Sequence, residues 1–234
     1  MCCSTDRKLL AWLWLLSASV FFTACAGTGT PSVSVATGSS ISPTLKVSTG
    51  IPTRADLAKT DIIAAMWATF NTPARSVHMV VIDTSTQQAR SETVIAHISP
   101  DRYLKRIKNG PAMIIISTTM YLFASGVWSK TVVSADEATA NISALNTTDS
   151  HQISALEHTM QKATRIGPDS LAGVATLKYQ YEIQGKDGSL TLNKVWLGVA
   201  DHMMHRREYT NDAKKLKGTI TFQYAGVKIE APIP

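Results

Sequence analysis

Three cysteines and six histidines are the side chains best equipped for chemistry in this 234-residue chain, and their positions limit what that chemistry can be. Cys2, Cys3 and Cys25 all precede residue 26, so the chain beyond them has no disulfide, no zinc–thiolate site and no cysteine nucleophile. His202 and His205 stand three apart beside Asp201, which invites a chelation reading. They fall in a predicted turn and the strand after it, where positions three apart point to opposite faces, so they are not expected to converge on a metal. His151 and His158 are seven apart on a predicted helix, with no third ligand, and read as surface histidines. No Gly-x-Ser-x-Gly elbow, Walker loop or His-Glu-x-x-His is present, and the Ser, His and Asp residues follow no triad order. Asp136-Glu137 and Asp187 read as solvated carboxylates. Arg206-Arg207 with Lys214, Lys215 and Lys217 reads as an exposed basic hairpin. The expectation is a protein that is not an enzyme and that needs no metal or cofactor.

Composition agrees with a globular chain: 44% of residues are hydrophobic and 17% charged, which argues against wholesale disorder. The net charge of +6 and pI near 9.3 are moderately basic. The basic residues are dispersed along the chain, which describes a solvated surface and gives no nucleic-acid patch.

Cys25 takes its meaning from its surroundings. The chain starts polar, with Arg7-Lys8, and continues into an apolar run from Leu9 to Phe22. Such a run, at ~1.5 Å per residue, is about 21 Å long against a ~30 Å hydrocarbon core, which suits a cleaved signal sequence better than a lasting span. Phe22-Thr23-Ala24-Cys25 follows directly and resembles the lipobox of bacterial lipoproteins, where the cysteine is acylated and becomes the mature N-terminus. Residues 1–24 then read as a signal peptide and Cys25 as the lipidation site, attached to the membrane through diacylglycerol and acyl groups. Ala26, where an Asp would favour inner-membrane retention, leans towards an outer membrane facing the periplasm if the source is Gram-negative. Residues 25–52 are Gly, Ser, Thr, Pro and Val with little charge and read as a flexible tether, reaching on the order of 25–30 Å.

Residues 53–234 read as the folded domain. Thr53 and Asp56 have capping-box spacing, and Ile63, Met66, Trp67 and Phe70 then recur at i, i+3, i+4 and i+7, which predicts a helix ending at Asn71-Thr72-Pro73. Strand-like segments follow at 77–83, 92–99, 102–108, 113–117 and 120–124, too closely spaced for crossover helices. A polar middle leads into a second predicted helix, on which Ile153, Leu156, Met160 and Ala163 share a face. Strands resume at 175–183, where Leu177, Tyr179, Tyr181 and Ile183 alternate with Lys178, Gln180 and Glu182. Lys186-Asp187-Gly188 is a hairpin signal, and strands near 190–197, 203–210, 218–224 and 227–230 complete roughly ten.

Several local motifs appear together in order: Ser99-Pro100-Asp101-Arg102-Tyr103, Met120-Tyr121-Leu122, Gly126-Val127-Trp128-Ser129-Lys130, Lys194-Val195-Trp196-Leu197, and the ending from Phe222 to Pro232. In this order the chain resembles the LolA/LolB-like superfamily of periplasmic lipoprotein carriers and receptors, which includes the LppX-type lipid-binding lipoproteins. The resemblance implies an α+β fold: a curved antiparallel β half-barrel with helices covering its concave face and an apolar cavity between. It would place Ile63, Met66, Trp67, Phe70, Ile153, Leu156 and Met160 on the helix side of that cavity. Ile114, Ile116, Leu122, Leu177, Tyr179 and Tyr181 would form the sheet side. The same residues could equally form a filled core. The implied function is a membrane-anchored envelope lipoprotein, monomeric, binding or carrying a lipid or lipoprotein acyl chains without catalysis. The alternative is a protein-interaction or stress-sensing module of the same fold. For the receptor type, an exposed apolar loop residue is implied, with Leu145 or Val199 as candidates.

Overall fold

A computed structural model describes residues 53–145 and 150–234. The first helix, α1 (Arg54–Asn71), starts where the capping box predicts: Asp56 N–H donates to Thr53 Oγ1 (3.2 Å) and Thr53 N–H to Asp56 Oδ2 (3.0 Å). Its most buried stripe is Ala58, Ile62, Ala65, Met66 and Thr69, whereas the larger Ile63, Trp67 and Phe70 are only partly buried. On that stripe Ala58, Ala65 and Thr69 keep the backbone close to the sheet and Ile62 and Met66 fill the space beside them, while Ile63, Trp67 and Phe70 pack at the flanks.

Eleven strands follow: β1 (Arg75–Asp83), β2 (Ala89–Ser99), β3 (Arg102–Ile107), β4 (Ala112–Ile116), β5 (Thr119–Ala124), β6 (Val127–Val132), β7 (Met160–Leu171), β8 (Val174–Gln184), β9 (Leu190–Gly198), β10 (Met204–Asn211) and β11 (Leu216–Gln223). Two further helices, α2 (Ala135–Leu145) and α3 (Ser150–Thr159), lie between β6 and β7. All strands belong to one open sheet in the order β6-β5-β4-β3-β2-β1-β11-β10-β9-β8-β7, and every pairing is antiparallel. Two meanders, β1–β6 and β7–β11, are thus joined along β1 and β11. The chain between β6 and β7 leaves one edge of the sheet and returns at the other. The fold is α+β, a curved half-barrel with helices, as the motifs implied.

The strand count differs from expectation at three places, each with a local cause. Ser125 (φ +52°) and Gly126 (φ +83°) both take the left-handed conformation, closing a two-residue hairpin that adds β6. Val227–Glu230 is not a strand; Ile229 is buried against the sheet instead. The third is α3, which ends at Thr159, so Met160, expected on a helix, opens β7. Met160 and Ala163 are both buried because a bulge between Gln161 and Thr164, with Lys162 at φ +49°, inserts an extra residue. A bulged strand therefore mimics helical i, i+3 spacing.

Strand alternation divides the sheet into two faces. On the inner face, toward α1 and α3, stand Leu177, Tyr179 and Tyr181 of β8, opposite Leu197, Val195 and Asn193 of β9. The same face continues through Arg207, Ile220 and Met79 across β10, β11 and β1.

Candidate functional site

The inner face of the sheet carries a buried apolar cluster beneath the helices. α1 packs on β7, β9 and β10, and α3 packs on β8 and on α1. Around them forms one cluster of Ala58, Ile62, Met66, Ile153, Met160, Tyr179, Tyr181, Val195, Leu197, Met204 and Phe222. Partly buried Ile63, Trp67, Phe70, Leu156 and Leu177 pack at its margin. Ten of the residues singled out from the sequence are thereby brought together: Ile63, Met66, Trp67, Phe70, Ile153, Leu156, Met160, Leu177, Tyr179 and Tyr181. The inner face continues across the first meander through Val77, Met79, Val81, Ile95, Met113, Ile115, Met120 and Leu122, with Tyr103 and Lys105 of β3 standing in register between Ile95 and the β4 residues. Val81, Met113, Ile115 and Met120 are each 5% exposed or less.

Ile114 and Ile116 stand apart from this group. Their register pairs them with Leu104 and Arg102, one position out of phase with the inner residues Met113 and Ile115. They pack on the outer face with Ala96, Tyr121 and the C-terminal Ile229. A run of four consecutive apolar residues, Met113 to Ile116, has both faces covered, so its alternation carries no sign of which side is which.

α1 is held in place by polar contacts at its C-terminal end. Arg75 donates from one Nη to the carbonyls of Phe70 (2.8 Å) and Thr72 (3.0 Å) and lies over the Phe70 ring. Thr69 Oγ1 accepts the Met204 N–H (2.8 Å), released from the ladder where the β9–β10 register shifts. Tyr224 hydroxyl donates to Met204 carbonyl at the same point. Midway along, Tyr179 hydroxyl donates to Asp61 Oδ2 (2.8 Å). Burial, followed by Asp61, pushes Tyr179 up to about 12, so it remains a donor. Between α1 and α3 an open groove of ≈ 390 Å³ is lined by Asp56, Lys59, Thr60, Ile63, Ala64, Trp67 and Glu157.

A polar group that sequence reading missed sits within the apolar face. Arg207, read as part of an exposed basic hairpin, is on the inner face; its neighbour Arg206 is on the outer face, beside Trp196 and Glu208. Arg207 donates from Nε (3.0 Å) and Nη2 (2.8 Å) to Oδ1 of Asn193, which is 0% exposed. The available signal was the phase of β10: in any strand, adjacent arginines point to opposite sides. His205 Nε2 meets Asp201 Oδ2 (2.9 Å), while His202 stays in the turn at φ +56°. Among the described residues no group of three or more His, Cys, Asp or Glu is arranged to hold a metal. Val199 is 48% exposed at the β9–β10 turn. Cys25 and the expected signal and tether lie outside the described residues, and no helix among those described is long and apolar enough to cross a membrane.

No family model and no curated protein matches the chain. Solved structures do. LprF from Mycobacterium bovis is similar over 78% of this chain and 100% of its own, at 17% identity and a TM-score of 0.48. Lipoprotein LppX from Mycobacterium tuberculosis is similar over 74% of this chain and 98% of its own, at 14% identity and a TM-score of 0.45. A LolA superfamily protein from Nitrosomonas europaea covers 74% and 92%, at 8% identity and a TM-score of 0.27. The likeness is one of fold.

Proposed function

We propose that this chain is a lipid-anchored protein of the bacterial cell envelope that holds a hydrophobic ligand against the inner face of its sheet and does no chemistry on it. The ligand is a lipid or the acyl chains of another lipoprotein. The observation that carries this reading is the width of the mostly apolar inner face, which extends from Leu177 on β8 to Leu122 on β5, broken by Arg207 on β10 and Lys105 on β3 and reaching well past the strands on which α1 and α3 pack. Burying acyl methylenes there supplies ~0.8 kcal/mol each, so a sixteen-carbon chain offers on the order of 10 kcal/mol before ordering costs. The groove beside Ile63 and Trp67 is the way in, and Met66, Phe70, Ile153, Leu156, Met160, Tyr179 and Tyr181, which pack together beyond it, are the apolar residues the ligand's chain meets. Cys25 supplies the anchor, and Ala26 after it favours an outer membrane facing the periplasm in a Gram-negative cell.

Solvent extraction of the protein purified from its own envelope tests this. The expected result is a lipid released in near-equal amount to protein, with a fluorescent fatty acid taken up by the delipidated chain and less by Trp67→Ala. No co-extracted lipid and no fatty-acid uptake would overturn it. A second reading, a protein-interaction module, has its own observation: β6 is an uncovered sheet edge whose Val127 and Val132 are 68% and 72% exposed. Recovery of one stoichiometric protein partner with no lipid would favour that reading instead.

A further inference from the structure

A polar rung runs across the inner face, inside its apolar surface. Tyr181, Asn193, Tyr209 and Gly218 stand opposite one another on β8, β9, β10 and β11. Tyr181 is 0% exposed, and its hydroxyl has no partner; the buried hydroxyl of Tyr209 has none either. Tyr209 lies across Gly218, where a Cβ would fall 2.1 Å from its Cζ, so the ring is laid down along the sheet. Arg207, within 5.9 Å of that ring, gives two of its five N–H donors to Asn193. Among the described residues no carboxylate pairs with Arg207.

The group therefore has an excess of donors, one full positive charge and no anion. Buried hydroxyls without acceptors are costly, and native structures leave few of them. Burial pushes both tyrosines up, with Arg207 opposing, so both keep their protons and can donate. An ester or amide carbonyl would answer the hydroxyls but leave the cation unpaired. An anionic oxygen answers both, and guanidinium recognises carboxylate and phosphate in the same forked geometry. Apolar Val195 and Ile220 flank Arg207 in register, which suits a ligand whose remainder is hydrocarbon.

We propose that Arg207, Tyr181 and Tyr209 form a binding site for the anionic oxygen head, carboxylate or phosphate, of an acyl amphiphile whose chain lies on the inner face. This rests on the hydrophobic-ligand reading above and specifies which end of the ligand is recognised, and where.

The test presents the full chain, in neutral phosphatidylcholine vesicles, with a photoactivatable palmitate and separately with its methyl ester, and measures labelling of the protein. Wild type should be labelled at least tenfold more by the acid than by the ester. Arg207→Met should abolish that preference, bringing acid labelling down to the level of the ester. Tyr181→Phe removes only the unpartnered hydroxyl. It should cut acid labelling severalfold and leave the unliganded thermal midpoint unchanged or higher, whereas a merely structural hydroxyl would lower it. Unlabelled palmitate and dipalmitoyl phosphatidate compete in parallel; displacement by one of them identifies carboxylate or phosphate as the head, and displacement by neither counts against the site. Equal labelling by acid and ester in wild type, or an undiminished preference in Arg207→Met, overturns the anion site and leaves the hydrophobic-ligand reading standing. Labelling by neither probe overturns both.

Discussion

Arg75 shows how much of the fold can rest on one side chain. The last carbonyls of α1 have no partner within the helix, and at Phe70 and Thr72 they meet the Arg75 guanidinium in a place where the residue is 5% exposed. A hydrogen bond from a charged donor contributes ~1.5–3 kcal/mol, and a buried carbonyl left alone adds a penalty. Arg75→Met keeps the apolar stem and removes the donors. It should lower the unfolding free energy by about 2–3 kcal/mol, read as a shift of the urea midpoint at unchanged m-value. A shift of under ~0.5 kcal/mol would mean that solvent caps the helix as well as the arginine does. Sequence reading found the stop at Pro73 but not this cap, because Arg75 is an ordinary strand residue until the helix end is placed against it.

At the scale of elements, the β8–β9 hairpin carries its own electrostatic clasp. Gly188 at φ +77° closes the turn, and Asp187 Oδ1 accepts from both the N–H (3.1 Å) and the hydroxyl (2.7 Å) of Ser189. Lys214 Nζ reaches Asp187 Oδ2 at 3.1 Å, tying this turn to the β10–β11 turn. The Ser189 hydroxyl, then Lys214 and the Ser189 N–H, hold the Asp187 carboxyl down from its ordinary 3.8 to about 2. A depressed carboxyl stabilises the fold fully above its unfolded value. That contribution falls away as pH drops from about 3.8 towards about 2. In a carboxyl-detected NMR titration Asp187 should therefore keep its charge at pH 3, and Lys214→Met should raise its midpoint. An unshifted midpoint in wild type would remove the clasp. The turn itself was legible from Lys186-Asp187-Gly188. The link to Lys214 was not, since it depends on how two hairpins sit side by side.

Across the whole molecule, the same sheet serves two purposes on its two faces. The inner face meets helices, and the outer face of the first meander is closed by the chain's own C-terminal tail. Ile229, 4% exposed, packs with Ala96, Ile114 and Tyr121, and Val227, Ile233 and Trp128 lie around them. Truncating a buried isoleucine costs about 2–5 kcal/mol. Ile229→Ala should therefore lower stability by about 2–4 kcal/mol in a denaturant titration, with fatty-acid uptake by the folded protein unchanged. Loss of uptake at full folding would show instead that the tail acts on the inner face.

The antiparallel meanders, the capping box at Thr53, the helix stop at Pro73 and the inward phase of Leu177, Tyr179 and Tyr181 were all readable from local pattern. Each depends on residues within a few positions of one another: a side chain reaching its own backbone, a locked φ, or alternation with polar neighbours to give the pattern a sign. Tertiary structure alone decided the rest. It set Ile114 and Ile116 outward, because a four-residue apolar run has no polar partner to mark its phase. It moved Met160 from helix to strand, because a bulge reproduces helical spacing. It turned Arg207 from a surface cation into a charge on the inner face with no carboxylate partner among the described residues, because which side of β10 is inside is settled by α1, a helix some 135 residues away in sequence that packs on β9 and β10.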